Sequence, residues 1–282
     1  MDLDTHVAEF KREGLTVFPG YFSADRVASL REVLDPEFER LFSATPDQPK
    51  LKITPLLGHP VLGPMLADRV LDPLVLDFAE AVMGPVVQLD SYEVSGFPPS
   101  DREIRGQVHG WHRDPFHVAD QYARLAGGTG SRPYTPPLAC NCLTYLQDMD
   151  EDSGPICVVP RSHLDDTVIE PEREGERHPR QRTLELAAGD MVFMHNDLLH
   201  TGSYDVTHRT RYFVSKFVCH FGFPHRDPFD LPLIAELRAR ARAQEDRRVL
   251  RFFGEDDTFV ARREAAWAAW CREERSALKI AE

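Results

Sequence analysis

The feature that most constrains this chain is a pair of separated segments, Trp111-His112-Arg113-Asp114 and, far downstream, Asn196-Asp197-Leu198-Leu199-His200. Side chains two apart on an extended segment share a face, so His112 and Asp114 present an imidazole and a carboxylate together. For His200 to join them, the fold must return a distant strand to the same place. The context of His200 offers such a strand: residues 183–187 read as extended, Gly189-Asp190 as a turn, and 190–195 as a second apolar strand. Two imidazoles and one carboxylate make a facial triad suited to Fe(II), with the opposite coordination positions left for an organic acid and O2.

The H-x-D pattern is weak alone, because the chain contains it twice. His112-Arg113-Asp114-Pro115-Phe116 recurs as His225-Arg226-Asp227-Pro228-Phe229. No histidine follows His225, so the second copy lacks a later imidazole and reads as a surface turn around Pro228. His200 is followed by Arg209 and Arg211, the latter entering the run Tyr212-Phe213-Val214-Ser215-Lys216-Phe217-Val218. A guanidinium makes two parallel charge-assisted hydrogen bonds to a carboxylate. Arg211 is therefore expected to hold the far carboxylate of 2-oxoglutarate. Arg209, two residues earlier and on the same face of an extended strand, is the alternative.

Four segments in order resemble the phytanoyl-CoA dioxygenase family of Fe(II)/2-oxoglutarate-dependent oxygenases. They are Phe10 to Gly20, followed by a helix from about Ser23 to Val33; Trp111 to Asp114; Gly154-Pro155-Ile156-Cys157-Val158-Val159-Pro160-Arg161-Ser162-His163, with arginine where glycine is usual at 161; and Gly189 through His200 to Arg211. The resemblance implies a mainly β fold, a double-stranded β-helix (jelly roll, cupin-like) core with N- and C-terminal helices. It implies His112, Asp114 and His200 as ligands of Fe(II), Arg211 as the 2-oxoglutarate clamp, and Thr144 as a hydroxyl partner of that cosubstrate. Relatives that halogenate lack the carboxylate, so an intact Asp114 implies a hydroxylase-type dioxygenase. Two other classes stay open: a cupin-like metal-dependent isomerase or dioxygenase that does not use 2-oxoglutarate, and a non-catalytic binding barrel.

Composition agrees with one enzyme-sized domain over residues 1–282, with a core at about 86–221, a helical region at 1–85 and a helical extension at 230–282. A formal charge of −13 argues against nucleic acid or an anionic membrane as partner and leaves a small-molecule substrate. The N-terminus starts Met1-Asp2-Leu3-Asp4 without an apolar leader, and the five cysteines lack a zinc spacing, so a cytoplasmic protein with reduced thiols is expected. Cys140, Cys142 and Thr144 share a strand face. Asp72-Pro73 reads as a helix start, with Leu74–Met83 apolar enough for a buried helix.

The connection from His117 to Pro137 is long and rich in Gly and Pro, and is the candidate substrate lid. Asp165 to Arg182 is dense in charge and reads as a solvated loop. Ile234–Arg247 and Ala261–Leu278 read as helices, with interleaved charge that marks a solvated face. Most histidines of a chain are structural: His195 reads as a strand-end residue near the pocket and His163 as rim packing, whereas His109 and His117 flank the metal motif. Asp114 has a bland alternative as a turn cap before Pro115. Trp111, Phe116, Tyr134 and Arg132, with Arg124, are candidate substrate contacts, set against ordinary core packing.

Overall fold

The computed structural model describes residues 2–99, 107–114, 133–165 and 175–255. The chain opens with α1 (Leu3–Glu13), capped by Asp2, whose side chain accepts from Thr5 N at 2.8 Å. The helix ends at Gly14 with φ of 85°, a left-handed conformation that a side chain resists. Gly14 is needed for a second reason: a Cβ there would stand 2.6 Å from the His163 ring and 2.8 Å from Leu198. The chain then runs straight into β1 (Leu15–Phe18), and helix α2 (Ala24–Ala44) starts on a Ser23 cap. The start matches the expectation, but the helix continues well past Val33 and carries Pro36 in its interior. After β2 (Leu51–Ile53) and α3 (Leu62–Val70), α4 (Pro73–Met83) begins where Asp72-Pro73 predicts, with the Asp72 carboxylate accepting from Leu74 N at 2.9 Å.

The remaining strands are β3 (Val87–Phe97), β4 (Ala139–Tyr145), β5 (Ile156–Val158), β6 (Arg182–Thr183), β7 (Met191–His195), β8 (His200–Gly202) and β9 (Arg211–His220). They form a six-stranded sheet in the order β1-β7-β4-β9-β3-β2 and a three-stranded sheet in the order β6-β5-β8. All the strand pairings are antiparallel. The crossovers, with β7 between β1 and β4 and β9 between β4 and β3, give a jelly roll rather than a meander.

Alternation sorts the strand residues into two cores. Tyr212, Val214 and Val218 of β9, Cys140 and Cys142 of β4, and Tyr92 and Val94 of β3 pack with helices α1 to α4. Leu143 and Tyr145 of β4, with Val192 and Met194 of β7, pack with Ile156 and Val158 between the sheets. The large sheet is thus covered on both faces, and every residue of β4 is buried. Gly96 of β3 lies where a Cβ would overlap the Phe38 ring, so α2 rests directly on the backbone there.

Beyond β9, α5 spans Pro232–Ala243 and α6 spans Arg247–Phe252. The single helix expected over Ile234–Arg247 is divided, because Glu245 takes a φ of 53° and Asp246 caps a new start, accepting from Val249 N at 3.1 Å. The helix expected over Ala261–Leu278 lies outside the described residues, as does Cys271. No described helix is long and apolar enough to cross a membrane. The described cysteines 140, 142, 157 and 219 are buried and unpaired with one another.

Candidate metal centre

His112 and His200 are positioned by their own backbones. His112 N donates to His200 O at 2.9 Å and His200 N to His112 O at 3.0 Å, an antiparallel bridge that sets the rings with centroids 4.4 Å apart. Each Nδ1 meets a main-chain carbonyl two residues back, Gly110 O at 3.0 Å and Leu198 O at 2.9 Å. A carbonyl only accepts, so Nδ1 carries the hydrogen and each Nε2 keeps its lone pair. His112 is exposed as a residue, but desolvation of its ring in the pocket, then the neighbouring His200, lowers its pKa, which favours the neutral ring that a metal requires.

Asp114 N donates to Asn196 O at 3.0 Å, fixing the backbone from which the carboxylate projects. Its Oδ2 accepts from Asn141 Nδ2 at 3.2 Å, and Asn141 Oδ1 accepts in turn from Ser215 Oγ at 3.0 Å. Oδ1 lies 3.9 Å from His200 Nε2. One donor atom from each of His112, Asp114 and His200 lies within 4.8 Å of the other two. Metal–ligand bonds of about 2.1 Å at right angles need donors about 3 Å apart, a modest inward closure from this arrangement. Two neutral nitrogens and a carboxylate oxygen fit a divalent first-row metal such as Fe(II).

The three residues line a cavity of about 440 Å³ shared with Lys50, Lys52, Glu93, Phe97, His109, Asn141, Leu143, Tyr145, Arg211, Phe213, Phe217 and Arg226, among others. Arg211 is buried, its guanidinium stacked on the Phe97 ring at 4.2 Å. Its Nη1 donates to Gly154 O and, at 3.5 Å, to Ser203 O, whereas Nε has no hydrogen-bond partner among the described residues. Burial lowers its pKa, and Tyr145 and Asp205 act in the opposite sense. A buried arginine with an unmet donor beside a carboxylate-sized space suits an acidic ligand.

Arg209 does not share this setting. Strand β9 begins at Arg211, so Arg209 precedes the strand and is exposed; it lines a neighbouring groove with Asp35, Glu39 and Thr210, which Arg211 also borders, but not the metal cavity. Thr144 requires a correction as well. It lies across from Met191 and Val214, on the helix-facing side with Cys140 and Cys142, while Asn141, Leu143 and Tyr145 face the cavity. Two of the four substrate candidates also point elsewhere. Trp111 packs with Val108, Cys157, Val159 and Leu199 and donates from Nε1 to Glu176 O at 2.8 Å. Tyr134 donates to Val82 O at 3.3 Å, its ring against His163 and His195. Phe116 and Arg132, like Arg124, His117 and the lid up to residue 132, lie outside the described residues.

Among the other histidines, His109 lines the cavity with its ring 4.0 Å from Tyr204. His163 meets Lys11 O at 3.1 Å, a packing role at the rim. His195 is not near the metal pocket: it meets Thr135 O at 3.1 Å and stacks on Phe10. The second H-R-D-P-F copy lies at the surface, with His225, Arg226 and Pro228 exposed, but it is anchored inward by Asp227 and Phe229. Asp227 is buried and accepts from Tyr92 N at 2.7 Å, and burial pushes its carboxyl up to about 6. His225 stacks on Phe229 at 3.8 Å. Arg226 pairs with Asp90 at 2.7 Å, lies 4.3 Å from the Phe217 ring and forms part of the cavity wall. Identical letters perform unrelated tasks.

Asn141, Ser215, Tyr145, Lys50, Lys52 and Glu93 escaped the sequence reading. The one available signal was Asn141 itself, a polar residue inside the otherwise apolar run Ala139-Cys140-Asn141-Cys142-Leu143.

A His-Asp-His constellation on the wall of a jelly roll defines a protein built as a non-haem metal oxygenase is built. Residues 10–213 match the phytanoyl-CoA dioxygenase (PhyH) family, and the chain belongs to it. Ectoine dioxygenases of Bordetella bronchiseptica and Bordetella parapertussis are each 27% identical over 164 residues, 56% of this chain and 48% of theirs. The match thus spans about half the length of these relatives. HygX from Streptomyces hygroscopicus, solved with nickel, 2-oxoglutarate and hygromycin B bound, has a TM-score of 0.58 at 18% identity, covering 81% of this chain and 93% of that one. The epimerase SnoN, in complex with Fe3+, alpha ketoglutarate and nogalamycin RO, has a TM-score of 0.54 at 20% identity, covering 82% and 88%. These two likenesses show the shared fold.

Proposed function

We propose that the protein is an Fe(II)- and 2-oxoglutarate-dependent dioxygenase that hydroxylates a C–H bond of a small molecule and releases succinate and CO2. The observation that carries this reading is one cavity joining the Nε2 atoms of His112 and His200 and the Asp114 carboxylate to the buried, under-satisfied guanidinium of Arg211. Similarity to ectoine dioxygenases and to folds solved with 2-oxoglutarate supports it.

His112, Asp114 and His200 would hold Fe(II), and when bound the metal and its cosubstrate supply the oxidising power. The chain's own residues position the reactants. Gly110 O and Leu198 O hold the Nδ1 hydrogens and aim both Nε2 lone pairs at one point. The Ser215–Asn141–Asp114 chain keeps the carboxylate from rotating. Arg211 fixes the distal carboxylate of 2-oxoglutarate, with the Tyr145 phenol on the same wall. Phe97, Phe213 and Phe217 keep water from the reacting end. The charge of −13 argues against nucleic acid as substrate, and unpaired buried thiols suit the cytoplasm.

The test is anaerobic titration of the apo-protein with Fe(II) and then 2-oxoglutarate, followed through the weak visible charge-transfer band. The band should form in wild type and be lost in His112→Ala. Tight Fe(II) binding without a band would instead favour a cupin-like enzyme that does not use 2-oxoglutarate.

A further inference from the structure

Among the described residues that line the cavity, the charges cancel in pairs, with one left over; the buried Asp205 acts on Arg211 from outside this lining. Lys52 Nζ lies 2.6 Å from Glu93 Oε1, and Arg226 lies 2.7 Å from Asp90 Oδ2. On the reading above, a divalent metal, the Asp114 carboxylate, the 2-oxoglutarate dianion and the Arg211 guanidinium also sum to zero. Lys50 remains. No carboxylate among the described residues forms an ion pair with it, although it lines the same cavity. Its Nζ lies over two phenyl rings, 5.3 Å from the Phe97 centroid and 5.2 Å from that of Phe213. Aromatic faces hold a cation but do not neutralise it. Burial, and then the nearby Lys52, pushes the ammonium down to about 8, so at neutral pH it is charged and partly desolvated.

We infer that the substrate is a small organic monoanion, of the carboxylic acid class, whose acidic group is taken by Lys50. An unpaired cation in a low-dielectric cavity is unfavourable until an anion arrives, and this makes it a selector for one. Phe213 and Phe217 offer the apolar surface for the rest of the molecule. The cavity of about 440 Å³ also houses the cosubstrate, which keeps the acid small. Arg226 cannot take the role without giving up its ion pair with the buried Asp90, whose charge would then keep, among the described residues, only the Arg226 main-chain N–H.

The inference rests on the proposed cosubstrate, and one preparation tests both. Wild-type protein is loaded anaerobically with Fe(II) and 2-oxoglutarate, and the visible band is recorded. Acetylation of Lys50 by N-acetoxysuccinimide is then timed by peptide mass spectrometry with millimolar phenylacetate, benzoate or hexanoate, or with their primary amides. The expected result is a band, a reactive Lys50 in the loaded protein, and slowing by at least one of the acids of about tenfold or more, which its amide does not reproduce. In Lys50→Gln the band should form at unchanged 2-oxoglutarate concentration. Protection by 2-oxoglutarate alone, or a band that needs about tenfold more 2-oxoglutarate in Lys50→Gln, would give Lys50 to the cosubstrate and overturn the inference. Equal protection by acid and amide, or none by any acid, would overturn it too. Absence of the band in wild type is a different failure, that of the cosubstrate reading.

Discussion

Replacing Asn141 with alanine separates the orientation of the candidate metal-ligating carboxylate, Asp114, from its presence. Asn141 is buried, and its Nδ2 is 3.2 Å from Asp114 Oδ2. A hydrogen bond to a charged group contributes about 1.5–3 kcal/mol, which is about tenfold to 150-fold in an equilibrium constant. If this bond aims the carboxylate, Asn141→Ala should weaken Fe(II) binding within that range, the scale seen for outer-sphere partners of metal ligands. Ser215→Ala acts one bond further out, on the 3.0 Å contact to Asn141 Oδ1, and should weaken it by less than about tenfold, the scale of a neutral hydrogen bond of about 1 kcal/mol. Anaerobic Fe(II) titration measures both, and urea denaturation of the apo-proteins reports any loss of folding separately. Wild-type Fe(II) affinity in a folded Asn141→Ala protein would refute the reasoning, as would a larger effect from Ser215→Ala than from Asn141→Ala.

Two further outcomes are expected. Arg211→Ala should raise the 2-oxoglutarate concentration needed for the visible band by about a hundredfold, the effect of losing a charge-assisted bidentate contact of about 3 kcal/mol; Arg209→Ala, altering an exposed residue outside the cavity, should leave it unchanged. Asp227 should make the fold less stable as pH rises from about 4 to about 6, because its native pKa, raised from 3.8 to about 6, lets the folded state hold a proton that the unfolded state has released. Two pH units correspond to at most about 3 kcal/mol. Asp227→Asn keeps an acceptor for Tyr92 N and should be more stable at neutral pH, with that part of the pH dependence gone. Urea midpoints of both proteins across this range provide the check, and parallel curves would show that Asp227 does not titrate as assigned.

The local features of the site were legible because their causes are local. His112 and Asp114 share a face through strand alternation, and Ser23 and Asp72 cap helices through contacts within a few residues. Where the reading failed, the missing information was which face looked inward. The family resemblance implies Thr144 as a cosubstrate partner, yet Asn141, Leu143 and Tyr145 face the cavity. Every residue of β4 is buried, with helices on one side and the second sheet on the other, so no polar–apolar alternation marks the cavity face. Trp111 is a different case: the alternation that puts His112 and Asp114 on one face of an extended segment already points the residue beside them away from it.

By itself, the sequence pointed to a candidate ligand set, its order along the chain, the arginine that follows it and the family to which the chain belongs. Those properties reside in residue types at fixed short spacings, which any extended segment reproduces. Only the tertiary structure decided that the second H-R-D-P-F segment turns Asp227 inward to Tyr92 N, that Asn141 donates to Asp114 and accepts from Ser215, and that no carboxylate among the described residues forms an ion pair with Lys50 in the cavity. These are pairings between residues far apart in the chain. Burial, charge compensation and hydrogen-bond satisfaction at such places depend on what the other strands bring, and the letters of one segment carry no record of that.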